Sequence, residues 1–122
     1  MDVILSSVWE VLFTDEFGTW FGTLDAAQQD AVIARVELLE TEGPALGRPT
    51  VDTIVGARHP NMKELRVSKG GAIRILFAFD PRRQAVLLIG GDKTGRWNSW
   101  YEKAIPLADD LFDQYLDETG QG

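Results

Sequence analysis

Met62–Ile89 reads MKELRVSKGGAIRILFAFDPRRQAVLLI, and this stretch decides the fold of the chain. Three short segments rich in apolar residues read as strands, Met62–Val67, Ala72–Phe79 and Gln84–Ile89, and in the first two an arginine alternates with apolar neighbours. Alternation of this kind is typical of β-strands. The intervening sequences, SKGG at 68–71 and DPRR at 80–83, have the composition of tight turns. The sequence therefore predicts a three-stranded antiparallel meander.

The sequence before the meander predicts a strand and two helical segments. A strand is expected at Val8–Phe13, a helical turn at Asp15–Phe21, and then a longer helix that ends where Gly43 precedes Pro44. Either Thr23 or Asp25 would cap that helix, with Gln28 reaching back to the cap. A short strand at Val51–Val55 is a further candidate.

After the meander, apolar residues at helical spacing predict a helix from Trp97 to Tyr115 or beyond, kinked or restarted at Pro106. The resulting order is β-α-α-β-β-β-α. It predicts a single α+β domain over residues 1–122, in which the helices pack on one face of a twisted antiparallel sheet.

Strand register places two arginines side by side. A three-residue loop, 69–71, would pair Val67 with Ile73 and keep the apolar residues of both strands on one face. The same register sets Arg66 opposite Arg74 on the other face, away from the predicted core. Like charges directly opposite each other are destabilising, so the arginine pair needs an explanation. One explanation is a bound phosphate, whose oxygens match the guanidinium fork. Neutralisation by Glu64 and nearby acids on an exposed face is the other.

Charge is segregated along the chain. The net charge is −7 and the pI is about 4.6, yet the stretch from Arg48 to Lys103 holds eleven of the twelve basic residues and only five acids, so its formal charge is +6. Salt screens distant charges beyond about 10 Å. A locally positive surface therefore attracts phosphate in spite of the acidic flanks.

The segment before the last helix, GGDKTGRW at 90–97, combines glycines with cations. Glycines let the backbone approach a ligand and a helix N-terminus favours an anion, although an ordinary connector is the alternative. Aromatic residues among cations are suited to stack on unstacked bases. The alternative for one of the two tryptophans, Trp97 or Trp100, is burial in the core. The candidates are Lys93, Arg96, Trp97, Trp100, Tyr101 and Lys103.

Composition excludes several classes of site. Without cysteine there is no disulfide, thiolate metal site or thiol nucleophile, and a single histidine argues against a histidine-based metal site. That residue, His59, is a candidate general base because histidine titrates near neutral pH, or else an ordinary loop residue. No apolar run approaches the ~20 residues of a membrane span, and the first residues lack the basic region of a signal peptide. The expected location is the cytoplasm, without membrane contact.

Three strings then carry a family resemblance: NMKELR at 61–66, LFAFDPRR at 76–83 and LLIGGDK at 87–93. They resemble RelE/HigB-type toxins of bacterial type II toxin–antitoxin modules, and most of all the phage-derived branch called Gp49-like. The resemblance covers about Gly47–Leu116. It implies a RelE-like fold and a ribosome-dependent endoribonuclease, an mRNA interferase, that inhibits translation by cutting the codon exposed in the ribosomal A site.

The resemblance further implies a reaction and a set of partners. The RNA's own 2′-hydroxyl would attack the adjacent phosphate, with no metal and no other cofactor. A cognate antitoxin, expected to be of the helix-turn-helix type, would neutralise the toxin and bring operator DNA into the complex. The ribosome and mRNA would be the remaining partners.

Individual residues match positions of the family. Arg74 matches a phosphate-binding arginine on the second meander strand, and Arg66 matches a basic residue at the end of the preceding strand. Lys63 falls near a position where relatives carry a lysine that acts as base, although its neighbour Glu64 is acidic. His59 corresponds loosely to a histidine of some HigB-like relatives.

The remaining matches lie nearer the C-terminus. Lys93 and Arg96 fall in a loop that supplies another base or arginine, and Tyr101 aligns with a tyrosine that stacks on a base or assists proton transfer. The residues expected to contact RNA are Trp97, Trp100, Lys69 and Lys103.

The chain departs from these toxins in its acidic net charge and its long acidic N-terminal third. Two other functions therefore stay open. One is a non-nuclease toxin that acts on a topoisomerase, as the related ParE branch does. The other is a catalytically silent module that binds an antitoxin or operator DNA.

Overall fold

Five strands and three helices are present in the structure, a computed structural model that describes residues 9–67, 72–92 and 97–122. In chain order they are β1 (Glu10–Phe13), α1 (Asp15–Phe21), α2 (Ala26–Glu42), β2 (Val51–Thr53), β3 (Lys63–Val67), β4 (Ile73–Phe79), β5 (Gln84–Asp92) and α3 (Trp97–Glu118). One turn of 3-10 helix, Gly43–Ala45, follows α2. The prediction of an α+β fold is confirmed, and the candidate strand after α2 is present as β2.

The ends of α2 follow the predicted signals. Asp25 caps the helix, because its carboxylate accepts a hydrogen bond from the backbone N–H of Gln28 at 2.8 Å and the Gln28 side chain accepts one from the Asp25 N–H at 3.1 Å. Thr23 instead donates its hydroxyl to the Trp20 carbonyl. Gly43 ends the helix with a φ of 55°, and the indole of Trp9 lies so close that a side chain at this position would collide with it.

The sheet has the strand order β1-β5-β4-β3-β2. β2 to β5 are antiparallel, and Val67 pairs with Ile73 and Arg66 with Arg74, which confirms the predicted register. β1, in contrast, runs parallel to β5. The prediction of a wholly antiparallel sheet is therefore wrong at this edge. A parallel pair needs a long connection, and here that connection includes two helices and three strands, so no local pattern reveals it.

Apolar side chains cover both faces of the sheet. On one face α1 and α2 pack over a cluster that includes Leu65, Ile75 and Phe77. On the other face α3 packs over a second cluster that includes Leu76 and Leu88. The prediction that all helices lie on one face is therefore wrong, because the second face of β4 and β5 is itself apolar and needs its own cover.

α3 continues through Pro106, so the helix does not restart there. Its first two turns lie over the face of the sheet that carries Arg66 and Arg74, since Trp100 and Tyr101 pack against the second cluster. No helix within the described ranges is both long enough and apolar enough to cross a membrane.

Candidate functional site

A buried carboxylate gathers three of the predicted site residues. Oε2 of Glu64 accepts hydrogen bonds from Nε of Arg66 at 2.8 Å and from Nη1 of Arg74 at 3.1 Å. Its other oxygen, Oε1, accepts a short hydrogen bond from the hydroxyl of Tyr101. Glu64 is only 3% exposed. Two strands and a helix thus meet at one carboxylate, and we call these four residues the Glu64 cluster.

Strand alternation explains how the cluster forms. Side chains two residues apart point to the same face of a sheet, so Glu64 and Arg66 share a face of β3. Arg74 lies directly opposite Arg66 on β4. Tyr101, in the second turn of α3, completes the cluster from above this face.

Acids within the site offset the repulsion between the two arginines. The hydrogen bond to Glu64, together with the charges of Glu64 and Asp52, raises the pKa of the Arg66 guanidinium. Asp52 on β2 lies 3.3 Å from Nη2 of Arg66. The predicted neutralisation by Glu64 is therefore confirmed, although its carboxylate is buried and not on an exposed face. The side chains of Arg66 and Arg74 remain 36% and 25% exposed, so an anion can still reach them.

Tyr101 is protonated at neutral pH. Burial of the phenol raises its pKa to about 12, and the hydrogen bond to Glu64 and the charge of that carboxylate act in the same direction, against the opposing charges of Arg74 and Arg66. Its proton is donated to Glu64, whereas the oxygen lone pairs remain available as acceptors. Tyr101 can therefore orient a hydroxyl group but is not an anionic base at neutral pH.

Two tryptophans of α3 border the cluster. The guanidinium carbon of Arg74 lies 5.1 Å from the ring centroid of Trp97, which is a cation–π contact. Trp97 packs edge-on against Trp100 at 5.2 Å. Trp100 in turn lies on the backbone of Gly91, the β5 partner of Arg74, where a Cβ atom would collide with the indole. Trp100 also packs against the apolar cluster, which agrees with a core role for one of the two tryptophans.

An open hollow adjoins the arginine pair. Its volume is about 250 Å³, and its lining includes Arg66, Arg74 and, from α2, Arg35. Nη1 of Arg35 lies 3.5 Å from the hydroxyl of Thr50, which also lines the hollow. A larger cavity of about 390 Å³ lies between β1, α1 and α2 and is mainly apolar, and its lining contains none of the predicted site residues. The predicted arginine pair therefore adjoins the smaller hollow and not the larger cavity.

The functional groups of this site suit an anion. Guanidinium groups, a phenol and flat indole rings bind phosphates, hydroxyls and bases. Within the parts of the chain that the structure describes, no group of three or more histidine or acidic side chains is arranged to hold a metal ion.

Residues 19–113 match the family model described as "Phage derived protein Gp49-like (DUF891)". The chain belongs to this family. The predicted resemblance to the Gp49-like branch is thereby confirmed, and the match includes every residue of the Glu64 cluster.

Two relatives of this Gp49-like chain come from Mycobacterium tuberculosis (strain ATCC 25618 / H37Rv). The chain is 47% identical over 116 residues to "Putative toxin HigB2", an alignment that covers 93% of this chain and 58% of that protein. It is 48% identical over 113 residues to "Putative toxin HigB3", covering 92% of this chain and 98% of that protein. The chain therefore spans somewhat more than half of the first relative and nearly all of the second.

In this Gp49-like structure, His59 lies apart from the Glu64 cluster. Nε2 of His59 is 2.7 Å from a carboxylate oxygen of Asp113, and its ring packs edge-on against Phe112 at 4.9 Å. The neighbouring Arg58 also pairs with Asp113, at 2.9 Å. Asp113 follows Tyr101 by about three turns of α3, or ~18 Å at 1.5 Å per residue. His59 therefore helps to attach the connector before β3 to α3, away from the arginines.

Lys63 also lies elsewhere. Since it precedes Glu64 on β3, its side chain belongs to the opposite face of the sheet, and its Nζ is 3.5 Å from the hydroxyl of Thr53. Lys103 is exposed on α3. Lys69, Lys93 and Arg96 lie outside the described residues, so their roles stay predictions. The segment 93–96 connects the end of β5 to Trp97 at the start of α3.

The sequence identifies Glu64 only as a neutralising neighbour, and it gives no role to Asp52 or Arg35. Strand alternation gives the face of the sheet on which Glu64 lies, but not what covers that face. Glu64 shares a strand face with Arg66 and lies opposite Leu76, an apolar residue on the face that α3 covers. The burial of Glu64 depends on α3, which packs over that face, so the strand pattern alone does not reveal it.

Proposed function

We propose that this protein is the toxin of a type II toxin–antitoxin module and acts as a ribosome-dependent mRNA endonuclease. The observation that carries the proposal is the pair of guanidinium groups of Arg66 and Arg74 held on one carboxylate. Membership in the Gp49-like family and the names of the two mycobacterial relatives support the toxin part. The chemistry of the Glu64 cluster supports the nuclease part.

Cleavage would use the RNA's own 2′-hydroxyl. The 2′-oxygen attacks the adjacent phosphorus while the bond from phosphorus to the 5′-oxygen breaks, which leaves a 2′,3′-cyclic phosphate and a 5′-hydroxyl. Catalysis of phosphoryl transfer rests mostly on positioning and on stabilisation of charge at the phosphate oxygens. Arg66 and Arg74 are suited to that role, because a guanidinium fork binds two oxygens at once.

The aromatic residues would hold the nucleotides on either side of the phosphate. Stacking on an aromatic ring contributes about 1–3 kcal/mol per base, and Trp97 lies directly beside Arg74. Tyr101 stays protonated and donates its hydroxyl hydrogen to Glu64. Its oxygen is therefore free to accept a hydrogen bond from a ribose hydroxyl.

The proton of the 2′-hydroxyl must pass to a base, and the 5′-oxygen must receive a proton. The resemblance implies another base or arginine in the connection between β5 and α3, so Lys93 and Arg96 are the candidates that we propose for these tasks. His59 and Lys63 take no part in the proposal, since His59 pairs with Asp113 and Lys63 lies beside Thr53.

The partners would be the ribosome with its mRNA and a cognate antitoxin. The antitoxin, of the helix-turn-helix type, would hold the toxin inactive and link it to operator DNA. These partners place the protein in the cytoplasm.

Induction of Arg74→Ala in cells that lack the antitoxin tests the proposal. The wild-type protein should arrest growth, whereas Arg74→Ala should not. Arg83→Ala is a matched control, because Arg83 also stacks on a tryptophan, Trp9 at 4.6 Å, but lies in the turn before β5. It should arrest growth as the wild type does. Equal toxicity of Arg74→Ala, with normal melting and antitoxin co-purification for all three proteins, would contradict the assignment.

Mapping of transcript 5′ ends after induction separates the nuclease from the other two functions. Cuts in phase with codons are expected. Growth arrest with DNA damage and intact transcripts would indicate a topoisomerase poison. Undisturbed growth with the wild-type protein would indicate a silent binding module.

A further inference from the structure

We propose that Glu64 is the positioning residue of this site, which holds Arg66, Arg74 and Tyr101 together in the arrangement that an RNA phosphate requires. The inference rests on the proposed function. Glu64 is 3% exposed and lies beneath the three side chains that it binds. Its effect on the reaction is therefore exerted through those side chains and not by contact with RNA.

The energetics of burial favour such a role. A buried carboxylate is costly unless its oxygens are paired and hydrogen-bonded, and here both oxygens of Glu64 have partners. Two arginines directly opposite each other repel. Glu64 offsets this repulsion, and Asp52 also pairs with Arg66, so the attraction for a phosphate comes from the N–H donors that the two guanidinium groups keep.

The contacts fix the orientation of each guanidinium. Arg66 binds Glu64 through Nε at 2.8 Å and Asp52 through Nη2 at 3.3 Å. Arg74 binds Glu64 through Nη1 at 3.1 Å, and the ring of Trp97 covers its flat side. An arginine has five N–H donors, so each guanidinium keeps donors beyond those that these carboxylates use.

Glu64 also fixes the orientation of Tyr101. Because the phenolic proton points to Oε1, the oxygen lone pairs point away from Glu64. Glu64 and burial together keep the phenol protonated, while Arg66 and Arg74 oppose this effect. Loss of the carboxylate would lower the pKa of Tyr101, although burial would still raise it. The titration of Tyr101 therefore reports whether the cluster is intact.

A second buried carboxylate provides the matched control. Asp80 is 6% exposed and accepts a hydrogen bond from the hydroxyl of Tyr115, another α3 residue, at 2.6 Å. It also accepts the backbone N–H groups of Arg82 and Gln84, both at 2.9 Å. Asp80 thus shapes the turn before β5, and no arginine pair depends on it. Asp80→Asn removes a carboxylate of the same kind without changing the arginines.

Titration of the two tyrosines by ¹³C NMR of their Cζ atoms tests the cluster directly. Glu64→Gln should lower the pKa of Tyr101 from about 12, because the hydrogen bond to a carboxylate and its charge are lost while the effect of burial remains, and it should leave Tyr115 unchanged. Asp80→Asn should change the titration of Tyr115 alone. If Tyr101 titrates in Glu64→Gln as it does in the wild type, the carboxylate does not hold it and the proposal is wrong.

Cleavage of mRNA on programmed ribosomes then separates positioning from a structural role. Glu64→Gln should reduce kcat by about 100-fold, the cost of misplaced groups, without raising KM, because the local positive charge increases. Asp80→Asn, assayed well below its melting temperature, should keep both constants. An unchanged kcat in Glu64→Gln, or equal losses in both variants, would overturn the proposal.

Failure of the proposed function has a different signature. If the wild-type protein does not cut mRNA, the nuclease assignment falls. The role of Glu64 is then decided by the tyrosine titration and by the affinity for a short oligoribonucleotide. That affinity should stay equal or rise in Glu64→Gln, and a fall would count against Glu64 as a positioning residue.

Discussion

Arg66 and Arg74 face each other across β3 and β4 and donate hydrogen bonds to the same oxygen of Glu64, at 2.8 and 3.1 Å. The shared oxygen turns a repulsive cross-strand pair into a unit with fixed orientation. Arg74 is held on two sides, by Glu64 and by the ring of Trp97. The planar shape of its side chain should therefore matter as much as its charge.

Arg74→Lys tests this point. Lysine keeps the charge but lacks the fork and the flat face, so cleavage should fall strongly while the electrostatic part of RNA binding remains. The slope of log affinity against log salt should stay near the wild-type slope in Arg74→Lys, and should become shallower by about one in Arg74→Ala. Anisotropy of a labelled oligoribonucleotide at several salt concentrations gives these slopes. Wild-type cleavage by the lysine variant would show that charge alone suffices.

Gly91→Ala should displace Trp100. A Cβ atom at this position collides with the indole, and forcing extra volume into a packed site costs about 1–3 kcal/mol. Urea denaturation should show this loss, and Arg74 should lose its support from the aromatic group. Gly47→Ala is the control, since a Cβ there meets no atom within 4 Å, and its free energy of unfolding should change by less than about 0.5 kcal/mol. Equal stability of the two variants would contradict the close packing.

His59→Gln should leave cleavage intact. The ring of His59 contacts Asp113 and Phe112, about three turns of α3 from Tyr101. Loss of a half-exposed hydrogen bond should lower the free energy of unfolding by about 1 kcal/mol or less. Ribosomal cleavage and thermal melting measure the two effects, with Tyr101→Phe as the variant expected to lose cleavage. A large drop in kcat for His59→Gln would restore histidine as the general base.

Much of the local structure could be read from the sequence. The capping box of α2 depends on Asp25 and Gln28, and the pairing of Arg66 with Arg74 follows from the period of two in β3 and β4. Both features rest on residues close to one another in the chain. The parallel pairing of β1 with β5 and the position of α3 on the second face depend on distant segments, and an apolar helical stripe does not specify which sheet face it covers.

In the candidate site, too, features set by neighbouring residues could be predicted and features set by distant segments could not. The two arginines and the aromatic residues of α3 could be predicted because residue type and register point to an anion and a base. The burial of Glu64 could not, because a glutamate between lysine and leucine reads as a solvated residue until α3 is placed above it. Arg35 joins the hollow only through the packing of α2 on the sheet.

Asp113→Asn should change how stability depends on pH. Hydrogen bonds from Arg58 and then His59 lower the pKa of Asp113 in the folded protein. The folded state therefore binds fewer protons than the unfolded state near the ordinary aspartate pKa of about 4. The contribution of Asp113 is complete above that pH and is lost as the pH falls through the lower, folded value.

Urea denaturation from neutral pH to below pH ~4 measures this contribution. The wild type should be more stable than Asp113→Asn near neutral pH, and the difference should shrink as the medium becomes more acidic. Asp30→Asn, which removes an exposed acid of α2, is the control and should differ little from the wild type at any pH. A difference between wild type and Asp113→Asn that persists unchanged at the acidic end would show that the ion pairs with Arg58 and His59 do not stabilise the fold.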